Sequence, residues 1–172
     1  MPLVLNSSSI SGLAPVGGLS SPQTGSVLQV VSVNKVDSFS TTSGTFVDIT
    51  GLNVSITPIS TTSRIYVVAT IPLVSGTSTN GANFSLTRNG TLIGQGTSGT
   101  TQNTIATVYH ASNDFYSGTS FSIVDSPSTT SAITYQVRVL SSQSGQASTI
   151  GRRNSDTFAG SSSTLTVMEI AG

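Results

Sequence analysis

The sequence predicts an all-β domain: a two-sheet β-sandwich, jelly-roll-like, led by an extended N-terminal arm. Two observations carry this. Short runs rich in Val, Ile, Thr, Tyr and Phe recur between clusters of Gly, Pro, Asn and Ser, at the spacing of sandwiches and barrels. No window holds a helical period or a heptad.

The longest apolar run, Arg64-Ile65-Tyr66-Val67-Val68-Ala69-Thr70-Ile71-Pro72-Leu73-Val74, anchors the reading. Ile65, Val67, Ala69 and Ile71 point to one side of an extended strand, and Tyr66, Val68 and Thr70 to the other. A strand apolar on both faces is expected in the middle of a sheet, covered from two sides. Pro72 has no ladder donor, so pairing should weaken there, at an edge or a bulge.

Ahead of this strand, residues 1–27 show no period. Leu3, Leu5, Ile10, Leu13, Val16 and Leu19 are spaced among Ser, Gly and Pro, and are expected to dock an extended arm on another subunit. The β-domain is expected over residues 28–172. Residues 28–34 alternate loosely, and residues 45–50 and 52–57 read as strands on either side of Gly51. After the central strand, residues 82–88 and 91–96 flank Asn89-Gly90, the pair that a type I′ hairpin turn demands, which sets Leu86 opposite Ile93. Residues 104–110, 119–125 (Phe121 and Ile123 inward), 133–140, 148–153 and 164–170 complete roughly ten strands.

At 172 residues and 17.5 kDa the chain suits one domain. It has no Cys, so disulfides and thiolate-held metals contribute nothing. Six Lys and Arg balance six Asp and Glu, which argues against a nucleic-acid partner, since phosphates require a basic face. Hydroxyls wet the surface instead, with 33 Ser and 26 Thr. A surface so poor in charge resists self-association weakly and suits a protein that works inside an assembly. Residues 1–5 hold no basic residue and too short an apolar run for a secretion signal, and no stretch is long enough to cross a bilayer. Synthesis in the cytoplasm of a host cell, with no membrane partner, is the expectation.

Residue types that carry chemistry do not assemble into a recognisable site. Gly94-Gln95-Gly96-Thr97-Ser98-Gly99 has the letters of a dinucleotide turn, but a strand rather than a helix follows, so nothing would receive a pyrophosphate. His110 is the sole histidine and Asp114 lies four residues on; no serine is marked as an activated nucleophile, and a strand-end histidine near the surface is expected. Asp37, Asp48, Asp114, Asp125, Asp156 and Glu169 are scattered singly, without the alternating oxygens of a calcium loop. No catalytic, cofactor or metal site is predicted. Two interaction candidates remain. Arg152 and Arg153, with Asp156, form either a solvated turn or a contact with a neighbouring subunit. Phe115 and Tyr116, in the loop Asn113-Asp114-Phe115-Tyr116, could enter a partner's pocket or stack on a sugar.

Several passages resemble a family of virion structural proteins of tailed bacteriophages, common in phages of cyanobacteria and marine bacteria and often called tail-fibre-like. They are Gly25-Ser26-Val27-Leu28-Gln29-Val30-Val31, Thr45-Phe46-Val47-Asp48-Ile49-Thr50-Gly51-Leu52, Val54-Ser55-Ile56-Thr57-Pro58, Leu86-Thr87-Arg88-Asn89-Gly90-Thr91, Asp125-Ser126-Pro127 and Val167-Met168-Glu169-Ile170-Ala171-Gly172. The resemblance spans residues 25–172 and implies no catalytic residues and no enzyme. An arm leading straight into one domain, with no repeat suited to a shaft, favours a capsid decoration (cement) protein over a tail fibre or spike receptor-binding module. The partners implied are further copies of the chain, as a trimer, and the major capsid protein, at the capsid surface of the virion.

Overall fold

The computed structural model describes residues 22–77, 79–99, 102–110, 116–157 and 159–172, and among these all regular structure is strand. Eleven strands form: β1 (Val27–Lys35), β2 (Phe39–Thr41), β3 (Val47–Ile56), β4 (Arg64–Gly76), β5 (Gly81–Arg88), β6 (Thr91–Ile93), β7 (Ala106–Tyr109), β8 (Tyr116–Asp125), β9 (Ile133–Ser141), β10 (Ser148–Ile150) and β11 (Ser163–Ile170).

Alternation sorts them into two layers. One sheet runs β1-β11-β4-β10-β2, with β8 on the other side of β4; the second runs β3-β9-β5-β6, with β7 beside β6 on β5. Setting aside the three-residue strands β2, β6 and β10 leaves β1-β11-β4-β8 facing β3-β9-β5-β7. That is the eight-strand order of a jelly roll. Ile65, Val67, Ala69 and Ile71 of β4, Leu165 and Val167 of β11, Phe84 and Leu86 of β5, and Tyr135, Val137 and Val139 of β9 fill the space between the layers. Each large aliphatic side chain buried there contributes about 1.5–3 kcal/mol.

The hairpin forms as its turn residues dictate: Asn89 and Gly90 take φ of 48° and 82°, and Leu86 pairs with Ile93. Pro72 acts as expected, with the β4–β8 register slipping between Ile71 and Val74, although β4 continues past it to Gly76.

Three features differ from the sequence reading. Residues 45–57 give one strand, not two, because Gly51 (φ 79°) forms a bulge around which pairing with β9 jumps from Asp48 to Asn53. Strand β2 is too short to show a period. Most consequentially, β4 is not covered from both sides: its inner residues are buried, while Tyr66, Val68 and Thr70 are only partly covered.

Candidate interaction surface

Opposed residues of antiparallel strands point to the same face, so register alone maps the outside of the first sheet. Val30 of β1 pairs with Met168 of β11, Met168 with Tyr66 of β4, and Tyr66 with Val124 of β8. An apolar row therefore crosses all four main strands on the outer face. Its ends are open, Val30 being 55% and Val124 56% exposed, and its centre is half-buried. The adjacent row, Val27, Ile170 and Arg64, adds two more aliphatic groups. Scattered exposed apolar residues are ordinary, whereas a contiguous strip of them marks a contact surface.

Behind this strip lies a hydrogen-bonded layer. The inward row is Gln29, Glu169, Ile65 and Asp125, with the buried Glu169 on one side of a fully buried isoleucine and the partly buried Asp125 on the other. Glu169 accepts hydrogen bonds from the Gln29 side-chain amide at 2.5 Å and from the Ile59 backbone N–H at 2.7 Å. Burial pushes its carboxyl up, but the donors of Gln29, Ser63, Ile59 and Ser60 outweigh that and hold it below the usual glutamate value. Asp125 is held by Arg88 and Tyr135 of the other sheet. Burial and that aspartate push the Tyr135 phenol far above its ordinary range.

The outer face of the second sheet has opposite chemistry. A trough of about 360 Å³ is lined by Asp48, Thr87, Asn89, Thr134, Gln136 and Arg138. Most of these groups serve the fold: the Gln136 amide donates to the Ile49 and Leu52 carbonyls freed by the bulge, and Arg138 pairs with Asp48 and donates to the Phe46 carbonyl.

The residues singled out from sequence fall as follows. Leu3, Leu5, Ile10, Leu13, Val16 and Leu19 lie outside the described residues, as do Asp114 and Phe115. Tyr116 opens β8 and is 45% exposed; Tyr109, which the sequence reading passed over, ends β7 and is 63% exposed. The Arg153 guanidinium pairs with Asp156, its Nε lying 2.8 Å from Oδ1, and Arg152 donates to the carbonyls of Arg153 and Asp156. The loop thus engages both guanidinium groups within itself.

His110 corrects the sequence reading: it is fully buried, not near the surface. Its backbone N–H donates to the Asn80 carbonyl at 2.8 Å, and its Nε2 lies 3.5 Å from Ser117 Oγ. Asn80 is the hub of the surrounding polar layer, accepting from Ser141, Ser142 and Gln143 and donating to Ala147 and Ser148. Burial lowers the imidazole's pKa, with a backbone hydrogen bond to Val74 opposing it. Among the described residues, no three His, Asp or Glu side chains gather as a metal site.

No family model and no curated protein matches the chain. Solved structures similar to it include that of infectious bursal disease virus Gt strain, at 15% identity and a TM-score of 0.46, covering 92% of this chain and 43% of that one. The infectious bursal disease virus VP2 subviral particle is similar at 14% identity and a TM-score of 0.43, covering 92% and 42%. The chain spans less than half the length of these structures.

The apolar strip could have been found from sequence in part. Tyr66 was visible as part of an apolar second face, but Val30, Met168 and Val124 join it only through register.

Proposed function

We propose that the chain is a virion structural protein, and within that class a capsid decoration protein that stabilises an assembled shell. The observation that carries this reading is the apolar row Val30, Met168, Tyr66 and Val124, facing outward and backed by a hydrogen-bonded layer. The sequence resemblance to phage virion proteins supports it, as does the hydroxyl-rich, charge-poor surface. The β-domain stands on the major capsid protein as a trimer, and the segment preceding it reaches neighbouring subunits. Binding the assembled shell but not its separated subunits stabilises by mass action, by about 2.7 kcal/mol per site at a hundredfold excess over Kd. Electron microscopy of the particles tests this: hundreds of copies over the shell are expected, and copies confined to the tail overturn it.

A second reading, a receptor-binding module at a fibre or spike tip, is favoured by Tyr109 at the end of β7 and Tyr116 at the start of β8, both exposed. Exposed aromatic rings suit sugars or a partner's pocket. Host adsorption by Tyr109→Ala and Tyr116→Ala particles separates the two readings.

A further inference from the structure

We infer that the apolar row on the outer face of the first sheet receives residues 1–21 of a second copy of this chain. This rests on reading that face as an assembly surface, and it names the occupant. Three observations select it.

The first is chemistry. The row Val30, Met168, Tyr66 and Val124 carries no charge, and residues 1–21 contain no Asp, Glu, Lys or Arg while holding Leu3, Val4, Leu5, Ile10, Leu13, Val16 and Leu19. Such a segment covers an apolar strip without burying an ionised group.

The second is reach. Fully extended, residues 1–21 span about 70 Å, whereas the four strands β1, β11, β4 and β8 cover only about 15 Å from edge to edge.

The third is direction, which selects a second copy. Ser26 and Gly25 still pair with Ala171 beyond the end of β1, but a turn then closes from the Ser26 N–H to the Gln23 carbonyl. Pro22 lines one surface pocket with Ile59, Ser60, Thr62 and Gly172, at the end of the sandwich where β3 passes over to β4. The described chain thus stops at that end of the sandwich, off the outer face of its own first sheet.

The test places a photoreactive benzoylphenylalanine at Tyr66 in the full chain, mixes isotopically light and heavy copies, irradiates, and maps the adducts by mass spectrometry. Adducts joining position 66 of one copy to residues 1–21 of the other isotope are expected. The probe at Val124, an exposed edge position, should give the same partners if the Tyr66 variant folds poorly. Val30→Lys with Val124→Lys should weaken association between copies at least about tenfold, since charge then meets an apolar segment, with the thermal midpoint of the domain retained. Adducts within one isotope only, adducts to body residues of the second copy, or none overturn the inference. Adducts in intact particles to a shell protein overturn it while leaving the virion role in place; light-to-heavy arm adducts in a chain missing from particles do the reverse.

Discussion

Arg88 and Asp125 join the two sheets of the sandwich: Nη1 of the arginine on β5 lies 2.8 Å from both carboxylate oxygens of the aspartate that ends β8. The Tyr135 hydroxyl, from β9, donates to the same carboxylate at 2.7 Å. Two donors from one layer thus converge on one acceptor of the other. The aspartate side chain is 12% exposed and the arginine side chain 29%, so the pair is only partly screened by water.

Asp125→Ala should therefore destabilise the domain by about 2 kcal/mol, because it leaves a charge and a buried hydroxyl without their acceptor. Tyr135→Phe, which removes one donor and leaves the ion pair, should cost about 1 kcal/mol. Urea denaturation midpoints measure both.

Gly51 adopts φ of 79° at the β3 bulge, a region costly for side chains with a Cβ. Gly51→Val should lower stability by about 2 kcal/mol and disturb the carbonyls that Gln136 caps. Thermal unfolding tests the first effect, and amide hydrogen exchange in β3 tests the second.

The pH dependence has two parts of definite sign. Folding lowers the His110 pKa below its ordinary 6.5, so between those values the unfolded chain binds more protons. Stability should fall as pH drops through 6.5 and level off below the folded value, and His110→Gln should remove that limb. Glu169, held below its ordinary 4.5, contributes stability above that pH and loses it as pH falls through the folded value. Denaturation midpoints between pH 8 and pH 3, with Glu169→Gln alongside, separate the two.

Tyr109→Ala and Tyr116→Ala should leave binding to particles within about twofold of the parent, because both rings, at the end of β7 and the start of β8, lie away from the assembly surface on the outer face of the first sheet. Co-sedimentation of each variant with stripped shells measures this, and a loss above tenfold would move the contact to those tyrosines.

Much of this architecture was legible because each cue was local. Asn89-Gly90 dictates its own turn, Pro72 its own bulge, and Ile133, Tyr135, Val137 and Val139 alternate strictly along one strand. What escaped depends on partners distant in sequence. Tyr66 and Val68 read as a second covered face, because hydrophobicity reports that a residue seeks contact without saying whether its own chain supplies it. His110 read as a surface residue because the groups that surround it when buried, Val74 and Ser117 at the ring and Asn80 at its backbone N–H, are none of them announced by its immediate sequence. The single strand across Gly51 was hidden because a bulge and a turn share the same glycine signature.

The central claim is that this chain acts by holding other subunits together. Its most direct measurement is the disruption temperature of particles stripped of the chain, titrated with purified full-length protein. Saturable binding that raises the temperature until every site is filled is predicted. Absence of binding, or binding that leaves the temperature of genome release unchanged, would contradict it.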